Sequence, residues 1–233
     1  MRITKEKFMK IGVIADVHSN IYGLKSVLKE LEGIDIILSA GDIVGYYTFV
    51  NEVFDEFRKR NIQTILGNHD AYLLGMIPAS ASSIIQKSVE YTKKVINKDN
   101  FDYLKKIGKA NLDIKIDNLR IKMYHGSPWN KFEEYIFPNY QSFEKFKEID
   151  ADLIILGHTH WPMIKKIGEK IIINPGSCGQ PRDYDPRASF TILDTKTRNI
   201  SIKRVDYEID KVCQAVKRAG LDEQLIQILK RKK

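Results

Sequence analysis

Carboxylates, an amide and imidazoles recur in one kind of place along this chain. Asp16-Val17-His18, Gly41-Asp42, Gly67-Asn68-His69-Asp70, His125-Gly126 and Gly157-His158-Thr159-His160 each follow directly on a short aliphatic run. The chain has five histidines, and all five lie in these segments. Taken singly, each has a plain structural use. An Asp after a strand caps the next helix, an Asn after Gly suits a left-handed turn, and a lone His closes a strand end. Independent capping would not gather every histidine at strand exits, so the combined pattern points to a metal site.

The donor count says which kind. Asp16, His18, Asp42, Asn68, His125, His158 and His160 are the candidate ligands. Seven donors exceed the four of a structural zinc and the three of a catalytic one. They suit two divalent ions sharing a carboxylate, the clamp used for in-line phosphoryl displacement. The set is nitrogen and oxygen without a motif cysteine. That admits manganese, the first expectation, or iron, zinc or nickel. Two such ions against two carboxylates and one hydroxide leave about one net positive charge, a seat for a phosphate oxygen. His158 and His160 face the same way if the chain there is extended. They could grip one ion together, and the seven-donor count favours one ion each.

The elements that must position these residues alternate early in the chain. Aliphatic runs at 10–15, 35–40, 62–66, 119–125, 152–157, 170–174, 189–195 and 199–205 read as buried strands. Leu24, Val27, Leu28 and Leu31 recur at helical spacing before Gly33, and Val50, Val53, Phe54 and Phe57 repeat the pattern. Strand and helix in alternation imply parallel βαβ units. Residues 80–107 read as a helical cap or insert over the sheet. The later runs follow one another closely, as in hairpins, and 209–233 reads as two helices broken at Gly220 with a basic tail. The fold class is α/β with a mixed sheet or two packed sheets. In such sheets ligands gather beyond the carboxyl ends of the strands.

Composition narrows the class further. The chain has 233 residues, 43% hydrophobic and 29% charged, with no repeat or linker, which predicts one domain over 1–233 with residues 1–8 as a short extension. No apolar stretch approaches the roughly 18 residues of a membrane span, and no signal peptide is visible at the start. Cys178 and Cys213 are in no metal-like spacing, so a reducing cytoplasm is the expected setting. The net charge of +8 is spread over the chain. It favours an anionic small-molecule substrate over a focused nucleic-acid interface.

The motifs D-x-H at 16–18, G-D at 41–42, G-N-H-D at 67–70, H-G at 125–126 and G-H-T-H at 157–160 resemble those of the calcineurin-like metallophosphoesterases. "GDIVGY", "EY" at 134–135, "NPGSCGQPRD" (174–183) and "DPRAS" (185–189) are similar to the small prokaryotic phosphoesterase branch, so the resemblance covers nearly the whole chain. It implies a four-layer α/β/β/α sandwich of two mixed sheets. It also implies hydrolysis of a phosphodiester, phosphomonoester or dinucleoside polyphosphate by a metal-bridging hydroxide. By the same resemblance, Asp16, His18 and His160 hold the first ion, Asn68, His125 and His158 the second, and Asp42 bridges. His69 stands at the leaving oxygen, Asp70 orients it by accepting its ring N–H, and Asn20 braces the first turn. Arg182 is a candidate phosphate contact, with a loop ion pair as the alternative, and Tyr46 is the other candidate substrate contact. Two departures from the branch pattern stand out. The loop after "GDIVGY" reads "YTFVN" in place of a Gly-Pro-x-Pro turn, which predicts a looser, more aromatic segment at 45–51. Cys178 stands where a small aliphatic is common and is expected to be buried. The competing readings are a non-catalytic scaffold with this fold, as in a membrane-trafficking relative that has lost site residues, and a metal-dependent nuclease. Retention of His69 and every presumed ligand argues against the first, and only the positive charge favours the second.

Overall fold

The computed structural model describes residues 8–231. The expected N-terminal extension and the end of the basic tail therefore lie almost wholly outside the described residues. Among the described residues, ten strands form two five-stranded mixed sheets. The first contains β1 (Lys10–Ile14), β2 (Ile36–Ser39), β3 (Gln63–Thr64), β9 (Ala188–Asp194) and β10 (Ile200–Val205). Its order is β10-β9-β1-β2-β3, with β1, β2 and β3 parallel and β9 antiparallel to β1. The second contains β4 (Asn111–Ile116), β5 (Leu119–Tyr124), β6 (Leu153–Ile155), β7 (Met163–Ile167) and β8 (Lys170–Asn174), in the order β4-β5-β6-β8-β7. There β5, β6 and β8 run parallel, and β4 and β7 are antiparallel edges.

The sequence runs anticipate eight of these strands and miss β4 and β7. Both missed strands are sheet edges that carry charge, "NLDIKI" and "MIKKI". Charged edge strands resist pairing with other chains, and they show no aliphatic run.

The side-chain period of two along β1 decides the layers. Ile11 and Val13, with Ala15 just beyond the strand, join Leu38, Ile121, Met123, Leu153, Ile155 and Ile173 in a core between the sheets. Ile14 faces the other way, against Leu24, Val27 and Leu28 of α1 (Ile21–Glu30) and Val53, Phe54 and Phe57 of α2 (Val50–Lys59). Burying each such aliphatic side chain contributes about 1.5–3 kcal/mol. On the far side of the second sheet, Ile154, Leu156 and Ile172 pack on Phe143 and Phe146 of a 3-10 segment, Phe143–Glu148. That outer layer is thinner than a full helix.

The segment expected as a cap forms α4 (Ser83–Val95) and α5 (Lys98–Ile107). It packs on α2 and on a short helix, α3 (Asn68–Leu74), rather than lying flat on the sheet. The C-terminal segment forms α6 (Ile209–Arg218) and α7 (Gln224–Leu229), separated at Gly220 as expected. No helix among the described residues is long and apolar enough to cross a membrane.

Candidate metal centre

The strand exits of the two sheets converge on one buried cluster. The loops after β1 and β2 stay hydrogen-bonded past the strands: Asp16 N–H donates to Gly41 O, and His18 N–H to Asp42 O, at 3.1 and 3.0 Å. Across the sheets, Gly157 N–H donates to His125 O at 2.9 Å, and His158 N–H to Asp16 Oδ1 at 3.2 Å. Loop 174–180 braces both sides. Ser177 Oγ donates to Asp16 O at 2.7 Å, and Asn174 Nδ2 donates to Gly157 O at 2.7 Å. This gives "NPGSCGQ" a structural purpose. Cys178 lies within it, fully buried, as expected.

The backbone at the cluster is strained. Asp16, His18, Asp42, His158 and His160 all take positive φ, between 49° and 67°. A non-glycine residue there costs free energy, and such residues concentrate at working sites. Nothing in the sequence signals this, because Asp and His are not glycine markers. Gly67 is needed for a different reason. A Cβ there would meet Asp42 Oδ1 at 2.1 Å, so only glycine lets that carboxylate approach the start of α3, where His69 N–H donates to Asp42 Oδ1 at 2.9 Å.

All seven expected ligands come together, and all are buried. His18 Nε2 and His125 Nε2 lie 3.5 and 3.3 Å from the same oxygen, Asp42 Oδ2. On one side, His160 Nε2 is 3.6 Å from Asp16 Oδ1 and 3.0 Å from His18 Nε2. On the other, His125 Nε2 is 2.9 Å from Asn68 Oδ1, and the His125 and His158 rings are 5.0 Å apart.

The donor set fits cations. His18 Nδ1 donates to Val44 O at 3.1 Å and His160 Nδ1 to Gln180 O at 2.6 Å. A carbonyl only accepts, so both Nε2 atoms present lone pairs to each other. Two lone pairs at 3.0 Å repel unless a cation sits between them. Asp16 Oδ2 and His158 Nε2 are also buried without a hydrogen-bond partner, which is costly unless a further group satisfies them. His125 Nδ1 is fixed on Ala40 O at 2.8 Å, the usual outer support of a ligating imidazole. Among the described residues, three groups of donors lie close enough to hold an ion: Asp16, His18 and His160; Asp16, Asp42 and His125; and His18, Asp42 and His69.

Electrostatics agree with a cation-shaped cluster. Burial, with the charge of Asp42, pushes Asp16 up to about 7, while burial holds His18, His158 and His160 well below the usual imidazole range. Burial also opposes the charge on Asp42, yet His125, His69 and His18 outweigh it and hold that carboxyl low. His125 is pushed the other way, to about 9: burial is overcome by the charge and hydrogen bond of Asp42. Buried carboxylates thus face imidazole nitrogens without hydrogen-bond partners of their own, an arrangement that a metal ion satisfies.

Two expectations need correction. Asp70 does not hold the His69 ring. It is the third residue of α3, and its carboxylate accepts from the backbone N–H of Gly67, Asp42, Ile43 and Val44 at 2.9, 2.9, 3.3 and 3.1 Å. Its position near the helix start, as in a capping box, aims it at backbone. It clamps the loop that carries Asp42. His69 Nδ1 is buried without a partner, and burial draws that ring down to about 4. Segment 45–51 is not loose either. Tyr47 is 1% exposed, its OH donates to Leu225 O at 3.4 Å, and Gln180 Nε2 donates to that OH at 3.0 Å. The C-terminal helices bury this loop through Val212, Val216 and Leu225, a tertiary contact that its local composition does not reveal.

Above the cluster opens a pocket of about 330 Å³. Asp42, Asn68, His69, His158 and His160 form its floor, and Tyr46, Tyr72, Glu133, Tyr135 and Arg182 its walls, with Ser80 and Ile85 from the helical insert. Arg182 donates to Gln180 Oε1 at 2.8 Å and to Tyr46 OH at 3.1 Å. Among the described residues it makes no ion pair, so the alternative loop salt bridge is not formed. Asn20 caps α1, accepting from Gly23 N–H at 3.0 Å, and its Nδ2 donates to Gly179 O at 2.7 Å. Sequence reasoning gave no site role to Gln180, Glu133 or Tyr72. The Tyr135 ring stacks on the His158 ring at 4.0 Å. The "EY" at 134–135 was the signal available for it.

Comparison with known proteins follows the same line. A family model described as the calcineurin-like phosphoesterase superfamily domain matches residues 9–198. A Methanocaldococcus jannaschii protein, MJ0912, is 34% identical, over 92% of this chain and 95% of its own length. Phosphodiesterase MJ0936 of the same organism is 25% identical over 73% of this chain and 84% of its own. The crystal structure of a metallophosphoesterase from Sphaerobacter thermophilus superimposes with a TM-score of 0.84 at 30% identity, covering 97% of this chain and 100% of that one.

Proposed function

The chain belongs to the calcineurin-like phosphoesterase superfamily, and on that premise we propose that it hydrolyses phosphate esters with two divalent ions held by its strand exits. The observation that carries this reading is Asp42 Oδ2, which lies within 3.5 Å of ring nitrogens from both halves of the cluster. Asp16, His18 and His160 would hold one ion and Asn68, His125 and His158 the other, with Asp42 shared between them. When bound, such ions supply a nucleophile from water at neutral pH and neutralise charge on the phosphoryl oxygens.

The chain's own residues do the rest. Arg182, already aimed by Gln180 and Tyr46, donates N–H groups to a phosphate oxygen, as a guanidinium fork suits. His69 lines the pocket floor and donates to the departing oxygen. Its buried, neutral ring acts there as a hydrogen-bond donor rather than a fixed cation. Asp70 holds the 42–44 backbone so that the shared carboxylate stays in place. Tyr46 and Tyr135 narrow the pocket and exclude water around the ester.

The test uses bis(p-nitrophenyl) phosphate with added manganese. Wild-type protein turns it over, and Asp42→Asn lowers kcat/KM at least about a thousandfold. His69→Ala retains its metal content by mass spectrometry and loses about a hundredfold or more in kcat. Full activity in Asp42→Asn would refute the site assignment, and metal loss in His69→Ala would refute the role given to that ring.

A further inference from the structure

A chain of aromatic ring contacts continues outward from the pocket wall. Tyr135, in the pocket wall, has one neighbour inside, the His158 ring at 4.0 Å, and one outside, the Phe137 ring at 5.8 Å and nearly parallel to it, 6° between planes. Phe137 meets Trp161 edge to face at 6.5 Å, and Trp161 meets Tyr184 at 6.2 Å. Tyr135, Phe137 and Tyr184 are 47%, 38% and 44% exposed. Scattered exposed rings need no explanation, but contiguous ones beside a reactive pocket do. Beyond Tyr135 the surface forms a groove of about 400 Å³, lined by Phe137, Pro138, Asn139 and Trp161.

We propose that Phe137, Trp161 and Asn139 form a subsite for the base of a nucleotide ester whose phosphate sits in the metal pocket. Three features favour that occupant. The groove adjoins the phosphate pocket through Tyr135, as a base must lie close to its own phosphate. Two of its four lining residues are the aromatic rings of Phe137 and Trp161, and a base stacks on such rings whatever its identity. Asn139 adds an amide with both a donor and an acceptor, which suits a base edge and not a hydrocarbon. A nucleotide also brings the negative charge that a +8 chain attracts.

The inference rests on the phosphoesterase reading for its catalytic half, so binding and turnover are measured separately. Binding to the full chain with manganese is followed by isothermal titration calorimetry, using adenosine 5′-monophosphate and ribose 5-phosphate as probes. The nucleotide binds at least about tenfold tighter, and Trp161→Ala or Phe137→Ala removes that advantage, as loss of a base–aromatic stack does. Phe137→Tyr, which keeps a π-face, restores most of it. Turnover compares the p-nitrophenyl ester of thymidine 5′-monophosphate with methyl p-nitrophenyl phosphate. The ratio of kcat/KM favours the nucleoside ester in wild type and falls about tenfold in either Ala variant. Equal affinity for the two binding probes, or parallel loss on both esters, overturns the subsite. Selective nucleotide binding without turnover of either ester overturns the phosphoesterase reading and leaves the subsite standing.

Discussion

The two halves of the candidate metal cluster are held in different ways. Around Asp16, His18 and His160, both rings are fixed by carbonyls, Val44 O and Gln180 O, and all three residues sit on left-handed backbone. Ser177 ties Asp16 from behind. Around Asn68, His125 and His158, only His125 has a carbonyl behind it. Asn68 begins a helix, and His158 leans on the ring of Tyr135, which is 47% exposed. Asn68 and His158 line the pocket, as His160 does from the first half, whereas His18, Asp16 and His125 do not. The first half is a preformed cradle. The second has fewer such supports, with one carbonyl behind one of its two rings. Two ions bound here should therefore differ in affinity, the tighter on the first side.

That asymmetry can be broken from either side. His160→Ala removes a ligand from the preformed half and is expected to abolish turnover, by a thousandfold or more, with loss of bound metal. His158→Ala should keep one tightly held ion and lower metal content from about two per chain to about one, with a loss of roughly a hundredfold. Metal analysis after gel filtration checks both, and equal metal loss in the two variants would erase the distinction. Asp70→Asn addresses the frame that the halves share. An amide placed against the Val44 N–H loses one bond and sets donor against donor. It should cost about 1–3 kcal/mol and lower Tm by roughly 2–4 °C per kcal/mol, seen by calorimetry. Tyr135→Ala is the mildest. Loss of its stack on His158 is expected to weaken only the second ion, by about twofold to tenfold, as read by a metal titration with a weak-binding phase.

That the candidate ligands would cluster was legible in the sequence because metal chemistry admits few residue types. Only carboxylate, amide and imidazole can do the work, and all five histidines fell at strand exits. The aliphatic strands were legible for a similar reason, since a strand buried on both faces leaves an unbroken apolar run. The edges β4 and β7 were not, because charged residues interrupt their apolar runs. Asp70 was misassigned since adjacency to His69 suggested a side-chain partner, while the helix start turned its carboxylate toward four backbone donors. Tyr47 looked like part of a mobile loop until α6 and α7, some 170 residues later, closed over it. The aromatic row was invisible for the same reason. Phe137, Trp161 and Tyr184 have no common period, and only the fold lines them up.

The central claim is two ions divided by Asp42, with one histidine of the His158-Thr159-His160 segment on each. Anomalous diffraction from crystals grown with manganese tests it directly. Two peaks flanking Asp42 Oδ2 are predicted, one bonded to His160 and the other to His158. A single peak shared by both rings, or peaks bonded to neither, would contradict it.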